Sequence, residues 1–310
     1  MLNVNRLRML REVAGRGTIA AAAEALFMTP SAVSQQMGVL EREAGVPLLE
    51  RLGRGVRLTA AGSRLVDNTE RILAELERAE ADLVDASRGI TGHIRLSAFP
   101  SAARAILVPT LVGLRRDHPN LRISMIDLEP EEAMPALKAR ELDIALTYEW
   151  DLLPTLEDAG IEREQLFSEP VYLALPAGHP LAVSGKPVRI AQLAEEEWIV
   201  GRDSTSMLEF VRSATRRVGF DPETDFHSMD IDVILAAVDA GLGVALIPPL
   251  ALVYDIPGVA IRRTADLSLN RLVWAAVRRG SGENPAIREV LEHLRAESAR
   301  AVAELPGERH

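Results

Sequence analysis

Residues Thr18 to Gly45 run TIAAAAEALFMTPSAVSQQMGVLEREAG. An alanine-packed run stops at Phe27, turns on Met-Thr-Pro and restarts with small hydroxyls and amides. Thr18 can cap a helix over roughly Ile19 to Phe27. Thr29 followed by Pro30 has the pattern of an N-cap with proline at the first helical position, where its missing N–H costs nothing. Gly45 can adopt the left-handed conformation that ends this next helix after about Ala44. On a helical wheel Val33, Met37 and Leu40 share one face and would meet Ala22, Ala23 and Leu26, where alanines let two helices cross closely. Ser31, Ser34, Gln35, Gly38 and Arg42 fall on the opposite face. A merely solvated face usually carries Glu and Lys at such positions, yet here the acids wait until Glu41 and Glu43. Short hydroxyls and amides near a helix N-terminus can reach base edges in the major groove, and Gly38 leaves room. The pattern predicts a helix-turn-helix that reads DNA.

Working outward, Val4, Leu7, Leu10 and Val13 recur at helical spacing, predicting an opening helix that ends near Gly15. After Gly45, VPLLERLGRGVRL makes two short extended runs about a Gly-Arg-Gly turn, a small wing. From Thr59 to about Ser87 nothing breaks a helix after Gly62. Leu65, Thr69, Ile72, Leu76, Ala79 and Leu83 follow 4-3-4-3-4 spacing, an apolar seam flanked by charges. That seam predicts dimerisation through a long linker helix, against the plainer reading of one amphipathic helix packed on its own domain. Ser87 to Gly92, SRGITG, has the composition of a hinge.

Beyond the hinge the period changes. HIRLSAF, LRISMIDLE, LDIALTY, PVYLALP, EWIVG, VALIP and LVWAAV have strand character. Helical stretches at 106–117, 131–140, 208–218 and 231–240 alternate with them. This is the pattern of an α/β fold with a largely parallel sheet, and its length calls for two lobes.

The composition is that of an ordinary soluble protein: 310 residues, 47% apolar and 26% charged, with no cysteine. Disulfides, thiolate metal sites and thiol redox sensing are excluded. No apolar run is long enough to span a bilayer and no signal peptide opens the chain, so a cytoplasmic protein without membrane contact is expected. The net charge of −10 is unevenly spread. Residues 1–58 hold eight basic and five acidic side chains, +3, which leaves −13 for the rest. A mildly basic head on an acidic body suits DNA binding by the head.

The stretch AAAEALFMTPSAVSQQMGVLEREAGVPLLERLGRGVRLTAAG resembles, in order and without gaps, the N-terminal signature of the LysR-type transcriptional regulators. By that resemblance Thr29, Pro30, Ser31, Ser34 and Gln35 occupy the turn and recognition-helix positions used on DNA. Position 35 is commonly Arg in the family; Gln shifts preference from guanine toward adenine, or weakens binding. Arg51, Arg54 and Arg57 match the wing, where guanidiniums suit phosphates or the minor groove. LLER stands where Leu-Phe-Glu-Arg is more usual.

The likeness continues more loosely after residue 90, and implies an effector domain resembling type 2 periplasmic binding proteins, with two Rossmann-like α/β lobes about a ligand cleft. The implied organisation is a winged helix-turn-helix over 1–58, a linker helix and hinge over 59–89, an effector domain over 90–303 and a tail over 304–310. Lobe I would take 90–165 and 267–303, and lobe II 166–266. Ser101 lies just past the first strand, at a helix start whose N–H groups favour an anion, and the family often contacts its effector there. Ser204 and Thr205 open a helix in the second lobe and could face it, although all three also suit plain helix caps. The implied partners are double-stranded DNA at an interrupted two-fold site, a small-molecule effector of anionic character, and a second copy of the chain in a homodimer or homotetramer. No cofactor and no metal are implied.

Enzymatic readings find little support. His93, His118, His179, His227, His293 and His310 show no ligand-like pairing, and His179-Pro180 suits a turn. GLGVAL lacks GxGxxG spacing and precedes a strand, the wrong context for a nucleotide loop. Two hypotheses stand: a DNA-binding regulator switched by a small molecule, and a solute-binding module or enzyme with an incidental helical head.

Overall fold

The computed structural model describes residues 1–52, 55–85, 90–155, 158, 160–203, 205–252 and 256–305. The head opens with α1 (Val4–Arg16), α2 (Ile19–Ala25) and α3 (Pro30–Ala44). Each begins where a side chain satisfies free N–H groups. Asn3 accepts from Asn5 and Arg6, Thr18 from Ala21, and Thr29 from Ala32. Gly17 and Gly45, both left-handed, end α1 and α3. The second helix stops at Ala25 rather than Phe27, because Phe27 sits at φ 52° and cannot continue it. Val33, Met37 and Leu40 are buried with Ala22, Ala23, Leu7, Leu10 and Val13, as the wheel requires.

The wing is an antiparallel pair, β1 (Leu49–Leu52) and β2 (Gly55–Leu58). The Val56 N–H donates to the Gly17 carbonyl at 3.0 Å, and the Glu41 carboxylate accepts from Leu48 and Leu49 at 2.9 and 3.2 Å. Glu41 therefore straps the end of α3 to the wing, a task its place in the sequence does not disclose.

The long helix α4 spans Ala60–Asp85, and Thr59 caps it by accepting from the Gly62 N–H at 3.0 Å. Leu65 packs on the head core, and Leu73 is buried where α4 meets the body. Thr69 is fully buried within its own chain, its hydroxyl donating to the Leu65 carbonyl at 2.7 Å. A residue with no exposed surface cannot join a seam with another copy, so Thr69 leaves the expected set. Ile72 and Ala79 are exposed and Leu76 half-buried, while the Leu83 side chain lies outside the described residues. Residues 87–89, half of the hinge expected at Ser87–Gly92, fall outside them as well.

The body continues with β3 (Gly92–Ala98), α5 (Pro100–Ala102), α6 (Val108–Asp117), β4 (Leu121–Asp127), α7 (Pro130–Lys138), β5 (Ile144–Trp150) and β6 (Ile161–Pro170). There follow β7 (Tyr172–Pro176), α8 (Pro180–Val183), β8 (Glu197–Val200), α9 (Ser206–Arg217), β9 (Glu223–His227) and α10 (Ile231–Asp239). Last come β10 (Ala245–Ile247), β11 (Val259–Arg262), β12 (Asn270–Arg278) and α11 (Pro285–Ala303). One sheet has the order β4-β3-β5-β12-β6 and another β10-β7-β11. The β8–β9 pair joins the latter through a parallel bridge between Trp198 and Val244.

Neither sheet is largely parallel, contrary to expectation. β3 runs parallel to β4 and β5, but β12 is antiparallel to β5 and β6, and β7 to β10 and β11. β6 carries the chain out of the first lobe and β12 brings it back, so the two lie side by side in opposite directions. β6 stays in the first sheet through Pro170 and β12 enters it at Asn270, later than the expected changeovers at 166 and 267. β6, sequence IEREQLFSEP, escaped the strand search because its charges interrupt any alternation. Ion pairs clothe it: Arg163 meets Glu149, and Glu164 meets Arg295.

His179 caps α8, its Nδ1 accepting from the Leu181 N–H at 3.2 Å, which is the turn its His-Pro sequence suggested. In GLGVAL a Cβ on Gly243 would come within 2.5 Å of the Glu197 carbonyl, so close strand packing accounts for that glycine. Among the described residues no helix is long and apolar enough to cross a membrane.

Candidate functional sites: an exposed helix face and an interlobe cleft

Thr29, Pro30, Ser31, Ser34 and Gln35 are all exposed at the start of α3, on the face opposite its buried stripe. Thr29 Oγ1 lies 3.0 Å from Ser31 Oγ, so the cap and the first hydroxyl of the stripe hold each other in place. A Cβ on Gly38 would meet only Arg42 Nη1, at 3.7 Å, which leaves the middle of this face open. Arg57 is exposed on the wing and donates to Glu50 across the hairpin at 2.9 Å. Such an exposed pair contributes at most about 1 kcal/mol, so the guanidinium can exchange Glu50 for a phosphate. The Arg51 side chain and Arg54 lie outside the described residues. The surface is a helix N-terminus with short polar groups, an open centre and an arginine on the neighbouring wing.

The second site is a cavity of about 430 Å³ with walls from both lobes. Ser101, Arg104, Glu129 and Glu132 face it from the first lobe, Arg202 and Asp230 from the second. Ser101 is nearly buried, and its hydroxyl accepts from Arg271 Nη2 at 3.3 Å. Arg271 in turn pairs with Glu169 at 2.8 and 2.5 Å, its guanidinium 4.8 Å from the Phe99 ring and 5.4 Å from that of Tyr148. The second oxygen of Glu169 accepts from the Leu250 N–H, across the lobes, at 2.8 Å. Arg104 also crosses, donating to the carbonyls of Leu250 and Ala251 at 3.3 and 3.4 Å. Burial raises the Glu129 carboxyl above its usual range, and the Tyr148 hydroxyl, donating at 2.9 Å, only partly offsets this.

Thr205 does not offer its hydroxyl to the cleft as expected. It donates to the Arg202 carbonyl at 2.6 Å, folding back on its own loop, and leaves α9 without a side-chain cap from that residue. The Ser206 N–H instead donates to Glu131 of the other lobe at 2.8 Å. Ser204 lies outside the described residues. Ser101 is thus the one expected effector residue set against the cavity among those described. Sequence inspection missed Arg104, Arg202, Glu131, Glu169 and Arg271. Arg104 was within reach, at i+3 from Ser101; Glu169 and Arg271 come from strands far apart in the chain and share no local signal.

Residues 4–63 match the family described as bacterial regulatory helix-turn-helix protein, lysR family, and residues 87–299 match the LysR substrate binding domain. The probable HTH-type transcriptional regulator LrrA of Synechococcus elongatus is 30% identical, over 95% of this chain and 97% of its own. A full-length OxyR variant from Pseudomonas aeruginosa shares the fold at TM-score 0.63 and 20% identity, covering 95% of each chain. Full-length CbnR, solved with its target DNA, aligns at TM-score 0.55 and 24% identity over 96% of this chain and 100% of that one.

Proposed function

The chain belongs to the LysR family of transcriptional regulators, and from that premise we propose that α3 and the wing read promoter DNA under control of a small molecule held between the lobes. The observation that carries the proposal is the cavity of about 430 Å³ walled by both lobes, with Ser101 and two guanidiniums facing it. A ligand touching both walls changes how the lobes sit, and so shifts an existing equilibrium between arrangements of the heads. The action needs no chemical turnover. Arg104 and Arg202 suit an anionic metabolite, and because carboxylates outnumber them around this space the same molecule must carry hydrogen-bond donors for Glu129 and Glu132.

In this reading the head takes residues 1–58, the linker 59–89 and the effector domain 90–303, with the lobes exchanging at about 170 and 270. In this reading Thr29, Pro30, Ser31, Ser34 and Gln35 face the groove, and Arg51, Arg54 and Arg57 meet the backbone. A metabolite thermal-shift screen on the full chain, repeated with Ser101→Val, tests the cleft. Valine removes the hydroxyl at similar volume, and loss of one such hydrogen bond lowers affinity by roughly 0.5–1.5 kcal/mol. A hit whose affinity Ser101→Val leaves unchanged removes Ser101 from the site.

Assembly follows from what the single chain leaves uncovered. Ile72, Leu76 and Ala79 continue at seam spacing along α4, and pairing there sets two heads on a two-fold site. Val108 and Val112 on α6 and Met125 and Ile126 on the edge strand β4 are also exposed, apolar surface available to a second contact in a tetramer. Ile72→Glu with Leu76→Glu buries charge in the proposed seam, and sedimentation is expected to show smaller species. An unchanged oligomer returns α4 to a purely intrachain role.

A further inference from the structure

The N-terminus of α9 has an occupant from the wrong lobe. Its N-cap residue, Thr205, makes no side-chain cap bond, because that hydroxyl donates to the Arg202 carbonyl. The Ser206 N–H donates instead to Oε1 of Glu131, at 2.8 Å. Glu131 sits in the first turn of α7, which packs on the sheet of the first lobe, whereas α9 belongs to the second. The Ser206 hydroxyl beside that amide is shielded from solvent and has no partner among the described residues. A helix N-terminus favours a negative charge, and a carboxylate accepting from its N–H makes a charge-assisted bond.

We propose that Glu131 is a clamp beside the cleft, holding the two lobes together from the start of α9, where the carboxylate of an entering ligand would take its place. The clamp itself requires no effector; its regulatory meaning rests on the cleft being the effector site. An anionic ligand reaching α9 must displace Glu131, so its apparent affinity is lowered by the fraction of molecules in which the clamp is shut. Displacement frees α7 from α9, and the exchange of an internal for an external carboxylate becomes the switching event. Glu131 is exposed, so its removal leaves each lobe's core intact.

Hydrogen–deuterium exchange on the full-length protein, without effector, tests the clamp. In Glu131→Ala the amides at the start of α9 are expected to exchange roughly tenfold faster or more, the loss that follows from one hydrogen bond to a charged group. Glu131→Gln, which keeps an acceptor without the charge, is expected to fall between. Glu132→Ala is the control, since it removes the neighbouring first-turn carboxylate of α7 and the same favourable contact with that helix's dipole. Excess acetate should restore protection in Glu131→Ala while leaving wild type unchanged, with sodium chloride at equal ionic strength as the comparison. Unchanged exchange in Glu131→Ala, or the same change in Glu132→Ala, overturns the clamp. Protection lost but not restored by acetate overturns the claim that an external carboxylate can take its place. Neither result bears on whether effectors enter the cleft, which the Ser101→Val screen decides.

Discussion

Glu169→Ala is expected to destabilise the body of this protein by about 3–5 kcal/mol, the usual cost of removing one partner from a buried ion pair. For a body of this size that corresponds to a fall in Tm on the order of 10 °C. The glutamate side chain is fully buried and that of Arg271 is 5% exposed, so solvent cannot compensate either charge. Deleting the carboxylate strands the guanidinium between the Phe99 and Tyr148 rings and the Ser101 hydroxyl, and also frees the Leu250 N–H. Glu169→Gln retains acceptors and should lose less. Replacing both partners, Glu169→Leu with Arg271→Met, should recover much of the stability, because two apolar groups need no partner in that pocket. Calorimetry on the three variants checks the order. Equal losses in Glu169→Ala and the double replacement would show that side-chain shape rather than charge pairing governs this joint.

Gln35→Ala is expected to weaken binding at particular base pairs rather than everywhere. An amide that makes a bidentate contact to a base contributes about 1–3 kcal/mol of discrimination, and a two-fold assembly presents it twice, so roughly 2–6 kcal/mol is at stake. Arg42→Ala, on the same exposed stripe, should instead weaken binding to all sequences and reduce the salt dependence by about two phosphates' worth, one for each head. Fluorescence anisotropy with the chain's own upstream DNA, at two salt concentrations and with single-base variants, separates these behaviours. Wild-type affinity and selectivity in both variants would remove α3 from the groove.

Sequence alone determined the head, because its physics is local. Caps at Thr18 and Thr29 act within a few residues, left-handed Gly45 ends α3 where it stands, and the stripe of Val33, Met37 and Leu40 is a matter of 3.6-residue periodicity. The unburied remainder of α3 was legible for the same reason. The alternation of strands and helices after residue 90 was legible too, as was Ser101's place after the first strand. Tertiary structure decided everything that depends on pairs distant in the chain. Strand direction depended on β12 returning beside β6, and Thr69 was spent inside its own chain although its spacing suited a seam. The cleft shows the division most clearly. Arg271 and Glu169 meet across 102 positions of sequence, and Glu131 reaches Ser206 across 75. A buried charge is stable only beside its counter-charge, and a helix N-terminus attracts whichever carboxylate the fold delivers to it. No periodicity encodes that delivery, because it is set by how the two lobes pack.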